Sequence, residues 1–177
     1  MNHLIAWKMD KVLIITPTYN EVDNISDLIE RIININNNYE ILVVDDNSKD
    51  GTANKVIEMK EIYPKSIHLL ERERKLGLGT AYIAGFKWAL KRNYSKIVQI
   101  DADLSHDPND IPRLINESNT FDVVIGSRYV KGVNIVNWPL RRLILSYGAN
   151  IYARILIGIN IYDLTAGFKC FNINVLK

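Results

Sequence analysis

Four aspartates stand in two pairs, Asp45-Asp46 and Asp101-Ala102-Asp103, and each pair closes an apolar run, 41–44 and 97–100. Carboxylates brought together at the end of a strand repel one another, and a divalent cation offsets that repulsion. Mg²⁺ or Mn²⁺ takes one or two protein carboxylates and completes its shell with water and ligand phosphates. Asp101 and Asp103 are therefore the expected metal pair. Asp50 and Asp107 each stand just before a helical pattern and are expected to be caps. His106, beside this acidic loop, is expected to be a hydrogen-bonded loop residue and not a base.

Such residues need a frame, and the chain supplies one. Apolar runs at 12–16, 41–44, 67–70, 97–100 and 121–125 read as strands. Between them, Ile25, Leu28, Ile29, Ile32 and Ile33 recur at helical spacing, as do Ala53, Val56, Ile57 and Ile62, and Ala81, Ala84, Trp88 and Ala89. Asp107-Pro108 opens a further helix through Ile111 and Ile115. Strands alternating with helices predict a mostly parallel sheet covered on both faces, with ligands at the carboxyl ends of its strands. No Pro/Gly/Ser linker divides the pattern, so residues 10–177 are expected to form a single α/β domain behind an N-terminal extension, 1–9.

Composition narrows the class further. The chain has 177 residues, 47% of them hydrophobic, enough for one sizeable core and too apolar for disorder. Twenty-two Lys+Arg against 20 Asp+Glu leave a net charge of +2, too balanced to point to nucleic acid. Cys170 is the single cysteine, so no internal disulfide forms and a reducing, cytoplasmic compartment is expected. No apolar run reaches the roughly 18–20 residues of a membrane span.

The loops at the strand ends resemble a known site. Pro17-Thr18-Tyr19-Asn20-Glu21, Val44-Asp45-Asp46-Asn47-Ser48 with Asp50-Gly51-Thr52, and Asp101-Ala102-Asp103 occur in the order found in inverting family 2 glycosyltransferases with the GT-A fold. Further segments are similar to dolichyl- and polyprenyl-phosphate mannose synthases: Lys75-Leu76-Gly77-Leu78-Gly79-Thr80-Ala81-Tyr82, Gly126-Ser127-Arg128-Tyr129, Trp138-Pro139-Leu140-Arg141-Arg142 and Asp163-Leu164-Thr165-Ala166-Gly167-Phe168-Lys169. The resemblance implies transfer of mannose, with inversion, from GDP-mannose to a dolichyl or polyprenyl monophosphate. It places Pro17, Tyr19 and Glu21 on the nucleotide, with Val44 and Asp46 beside base and ribose. Asp101, Ala102 and Asp103 would contact the sugar nucleotide, Asp103 and Ser105 would join Asp101 at the metal, and Arg128 would face the diphosphate or the acceptor phosphate. Tyr147 and Lys169 stand where many relatives have Arg. The family continues beyond residue 177, so the chain is expected to lack its C-terminal portion.

The chemistry is consistent with this reading. A nucleoside diphosphate leaving group needs electrophilic stabilisation, which a metal on Asp103 together with Arg128 would supply. A phosphate monoester acceptor is already largely dianionic near pH 7 and needs no general base, and no base stands out after the fifth strand. Arg142, Ser146, Asn150 and Arg154 recur every four residues, placing them on one helix face. With Lys169, the first three are the candidates for the acceptor phosphate. That helix reads either as an amphipathic core helix or as a membrane-apposed one, so peripheral attachment at the cytoplasmic face of a membrane is expected, with a membrane-anchoring subunit or domain as a possible partner. Segment 71–75 reads as a solvated loop or, beside Gly77 and Gly79, as a lid. The alternatives are a UDP-sugar-dependent transferase acting on the same class of lipid, a nucleotide-binding domain without catalysis, and a response-regulator-like domain. The last would need a lone aspartate ending the third strand, where the sequence has Glu71-Arg72.

Overall fold

The computed structural model describes residues 11–127, 163 and 166–177. Six strands form one sheet, β1 (Val12–Thr18), β2 (Glu40–Asp45), β3 (Ile67–Glu71), β4 (Lys96–Gln99), β5 (Val123–Ile125) and β6 (Lys169–Asn172), in the order β3-β2-β1-β4-β6-β5. Strands β1 to β4 are parallel. Among the described residues the helices are α1 (Val22–Ile35), α2 (Thr52–Ile62), α3 (Leu78–Leu90) and α4 (Ile111–Glu117), with 3₁₀ turns at Pro108–Asp110 and Ile173–Leu176.

Strand β1 explains the layering, because its successive side chains point to opposite faces. Val12 and Ile14 join Ile25, Leu28, Ile29 and Ile32 of α1, Val56 and Met59 of α2, and Ile111 and Leu114 of α4. Leu13 and Ile15 join Ala81, Tyr82 and Ala89 of α3 on the other face. The close approach of α3 requires a glycine: a Cβ on Gly85 would lie 2.7 Å from Ile15 Cγ2. Strands buried on both faces are what continuous apolar runs encode.

The mostly parallel sheet that was expected is the one found, made mixed by β6, which inserts antiparallel between β4 and β5. Its sequence Lys-Cys-Phe-Asn carries no apolar run, and backbone pairing to two neighbours makes it a strand. Residues Ile173–Leu176 close the chain in a 3₁₀ turn; one expectation is corrected, since Phe121, read as part of the fifth strand, lies outside β5 and is 57% exposed. The extension 1–9 lies outside the described residues. Cys170 is fully buried.

Candidate functional site

Reading outward from β1, the chain first adds β2 and β3 on one side and then β4 on the other. The order reverses between β1 and β4, and such a switch point leaves a crevice at the carboxyl ends of the strands. A cavity of about 330 Å³ lies there, lined by residues from the loops after β1, β2, β3 and β4. Of the expected donor-site residues, Pro17, Tyr19, Glu21, Asp46, Asp101, Ala102 and Asp103 all line it.

The loops are turned sharply to reach this position. Asn20, Asn47 and Leu104, one in each of the loops after β1, β2 and β4, have φ of 60°, 59° and 56°. Asn tolerates the left-handed region, whereas the same backbone costs a leucine on the order of 1 kcal/mol. The bend at Leu104 brings the Ser105 N–H to donate to Asp103 Oδ1 at 3.0 Å, which orients the exposed Asp103. Asp107 is the cap that was expected, whereas Asp50 stands one residue before Gly51, the N-cap of α2. Asp50 accepts from the Thr52 N–H at 3.0 Å and from the Val22 N–H at 3.0 Å, joining the starts of α1 and α2. Asp107 accepts from the Asn109 N–H at 3.0 Å, with Pro108 in the first turn. His106 is buried against Phe168, ring centroids 5.3 Å apart.

The four aspartates divide into different environments. Asp45 is buried and does not line the cavity; it accepts from Thr18 Oγ1 at 2.7 Å and from the Ser48 hydroxyl and N–H. Asp46 is also buried. Its Oδ2 accepts from the Leu76 N–H at 3.0 Å, and its Oδ1 lies 3.1 Å from Arg72 Nε. Asp101 accepts from the Tyr82 hydroxyl at 2.7 Å. Burial, then the Asp101 charge and hydrogen bond, push the Tyr82 phenol well above its usual range, with Gln99 acting in the opposite direction. The phenol is therefore a neutral donor throughout the ordinary pH range.

Two residues expected at the donor site stand elsewhere. The Val44 side chain is fully buried against α3, because strand alternation turns it into the core, so it does not line the cavity. Ser105 meets Asp103 through its backbone N–H and is not part of the lining. Lys169, expected at the acceptor phosphate, lies in β6 opposite Gln99. Arg128, Arg142, Ser146 and Asn150, together with Tyr147 and Arg154, lie outside the described residues.

Sequence reasoning missed three participants. Arg72, read as a solvated charge, is a buried partner of Asp46 and donates through Nη2 to Thr80 Oγ1 at 2.8 Å. Lys75 lines the cavity with its ammonium 3.9 Å from the Tyr19 ring centroid, a cation–π contact. Tyr82 was seen only as the last residue of a motif. Its place at i−3 from Gly85, on the face of α3 turned to the sheet, was the available signal.

A divalent cation fits this donor set. Two carboxylates, the half-buried Asp101 and the exposed Asp103, meet at one cavity, which matches the small number that Mg²⁺ or Mn²⁺ takes from protein. Among the described residues, no group of three or more His, Cys, Asp or Glu forms a closed cage, so ligand phosphate and water would complete the shell.

Comparison with known proteins agrees with the geometry. The polyprenol monophosphomannose synthase of Mycolicibacterium smegmatis is 45% identical over 168 residues, covering 94% of this chain and 63% of that protein. The undecaprenyl-phosphate mannosyltransferase of Micrococcus luteus is 42% identical, covering 94% and 68%. The dolichol-phosphate mannosyltransferase of Pyrococcus furiosus is 44% identical, covering 94% and 47%. The chain thus spans about half to two thirds of the length of these relatives. Among solved structures, a mannosyltransferase from Pyrobaculum calidifontis in complex with GDP-Man and Mn²⁺ superposes with a TM-score of 0.65 at 19% identity, covering 94% of this chain and 45% of that one. The glucosyl-3-phosphoglycerate synthase of Mycobacterium tuberculosis in complex with UDP gives 0.67 at 18% identity, covering 94% and 58%. These likenesses establish the GT-A fold. Residues 13–177 match the family described as Glycosyl transferase family 2. With its three motif loops gathered at one switch-point cavity and relatives above 40% identity, the chain belongs to glycosyl transferase family 2.

Proposed function

We propose that this chain carries the donor site of a mannosyltransferase that uses GDP-mannose and a dolichyl or polyprenyl monophosphate, releasing GDP and forming the polyprenyl-phosphate mannose with inversion. The observation that carries the proposal is the cavity at the β1/β4 switch point, lined by all three motif loops and ending on Asp101 and Asp103. Relatives named for mannose transfer to polyprenol, undecaprenyl and dolichol carriers support the substrate class.

In this reading Tyr19 offers a ring face to the guanine, and Lys75 brings a positive charge to the same wall. Asp103 and Asp101 would hold Mg²⁺ or Mn²⁺, whose positive charge would offset the charge developing on a departing diphosphate. Arg128 adds a second cation there, and Arg142, Ser146, Asn150 and Lys169 address the acceptor phosphate. That phosphate attacks as a dianion, so the chain needs no general base. Among the described residues no helix is long and apolar enough to cross a membrane. The acceptor's lipid tail then places the work at a membrane surface, on its cytoplasmic face, with a membrane-anchoring subunit or segment as the partner.

Calorimetric titration with GDP, GDP-mannose, UDP and UDP-glucose, each with Mn²⁺ or with EDTA, tests the proposal. Guanine-selective binding that needs the metal and is lost in Asp103→Ala is the expected result. Selectivity for uridine would move the assignment to a UDP-sugar transferase. Absence of any nucleotide binding would overturn the donor site.

A further inference from the structure

We infer that Tyr82 and Gly167 are positioning residues, which together hold the Asp101 carboxylate in one orientation toward the donor cavity. The inference rests on the donor-site reading above and adds residues that no motif role covers.

The two aspartates facing the cavity are oriented differently. Asp103 is held locally, by the N–H of Ser105 two residues on. Asp101 is held from distant parts of the chain. The Tyr82 hydroxyl, on the buried face of α3, donates to Oδ1 at 2.7 Å. Gly167 closes the other side: a Cβ there would lie 1.9 Å from Oδ2 and 2.6 Å from Cγ. The glycine backbone therefore occupies the space against the second oxygen, and any larger residue would push the carboxylate away from the phenol.

Both arms of this clamp are firmly anchored. Helix α3 is seated on β1 through the close approach of Gly85 to Ile15. Gly167 directly precedes Phe168, which is buried beside His106, and the Phe168 carbonyl accepts from the Gly126 N–H at 2.9 Å. Asp101 itself follows β4, where the Ile100 N–H donates to the Ile15 carbonyl at 3.1 Å. A carboxylate on a free side chain rotates about χ2, and each orientation it loses on binding costs affinity. Fixing it in advance removes that cost, and loss of such a supporting hydrogen bond to a metal-binding carboxylate typically weakens metal affinity by about 10-fold or more.

The test measures Mn²⁺ affinity by electron paramagnetic resonance in the presence of GDP, on the full chain and on Tyr82→Phe, Gly167→Ala, their combination and Asp103→Ala. Urea unfolding of each variant is followed in parallel. Tyr82→Phe retains the ring and its packing against Phe86, so it isolates the hydroxyl. The expected result is a loss in Mn²⁺ affinity of about 10-fold for Tyr82→Phe. Gly167→Ala should show a similar loss, and the combination should lose no more than the worse single variant, since both release the same carboxylate. If Gly167→Ala does not fold, Tyr82→Phe decides alone. Affinity within about twofold of the unsubstituted chain in Tyr82→Phe, with Asp103→Ala still defective, would overturn the clamp and leave the donor site standing. Failure of the unsubstituted chain to bind Mn²⁺ with GDP would overturn both.

Discussion

Replacement of Arg72 by methionine probes how the wall of the donor cavity is held. The loop between β3 and α3 is tied to the end of β2 at several points. The Arg72 N–H donates to the Asp45 carbonyl at 2.8 Å, Asn47 Nδ2 to the Glu73 carbonyl at 2.6 Å, and the Leu76 N–H to Asp46 Oδ2 at 3.0 Å. The guanidinium joins them, with Nε 3.1 Å from Asp46 Oδ1 and side chains only 9% and 6% exposed. At that separation, with an effective dielectric of about 20, the attraction is about 5 kcal/mol before desolvation. Removing one partner of a buried pair typically costs about 3–5 kcal/mol, because the remaining charge is stranded. The low end applies here: Arg72 Nη1 and Asp46 Oδ1 have no aligned hydrogen bond, so the pair is imperfect. We expect Arg72→Met to cost about 3 kcal/mol in urea unfolding, equivalent to a fall in Tm of about 6–12 °C for a chain this size. Asp46→Asn in the same background should be far cheaper than in the native chain, with a coupling of about 2 kcal/mol. A cost below about 1 kcal/mol, with the two substitutions additive, would refute the reasoning and mean that solvent screens the pair.

Two further outcomes can be checked by the same unfolding assay. Gly85→Ala should lower stability by about 1–3 kcal/mol, because its Cβ would meet Ile15 Cγ2 at 2.7 Å and Cδ1 at 3.1 Å; combined with Ile15→Ala, which removes both atoms, it should cost less than the sum of the two, and an unchanged urea midpoint in Gly85→Ala would contradict the packing. At the opposite end of the sheet, burial alone would raise the Glu40 carboxyl, but hydrogen bonds from Lys11, Tyr94 and His68 outweigh it and hold the group below its ordinary value. The native state then binds fewer protons than the unfolded chain, so this contribution is fully present above the unfolded value of about 4.5 and lost as pH falls through the lower native one. Glu40→Gln should flatten the acid limb of the stability curve, and an identical acid limb would rule this linkage out.

Much of the sheet and site was legible in the residues themselves. Strands β1 and β2 are apolar runs that stand out in any frame, since burial on both faces demands it, and β3 and β4 follow the same rhythm. Their order along the chain, with the Asp-containing segments following directly, is enough to place Asp46, Asp101 and Asp103 at carboxyl ends. The helix of Ile25, Leu28, Ile29 and Ile32 is equally plain, and all four are buried. Asp107, followed by Pro108, announces itself as a cap through its position alone.

Other features depend on contacts between distant segments. Lys169–Asn172 becomes a strand only because β4 and β5 each offer it a free edge, so its antiparallel insertion has no local signature. Val44 and Asp46, two residues apart, should share a face by strand alternation, yet β2 ends at Asp45 and the following turn at Asn47 directs Asp46 to the cavity while Val44 stays in the core. Arg72 reads as one charge in an alternating run, and only the fold of its loop onto Asp46 makes it a buried ion pair. Tyr82 and Gly167 sit on either side of one carboxylate through packing of α3 and the approach to β6. Local sequence thus determined the strands, the helices and the chemical types at their ends, because periodicity and capping act over a few residues. The tertiary structure alone decided which charges are paired and which carboxylates face the cavity, because burial and hydrogen-bond partners are set by elements far apart in the chain.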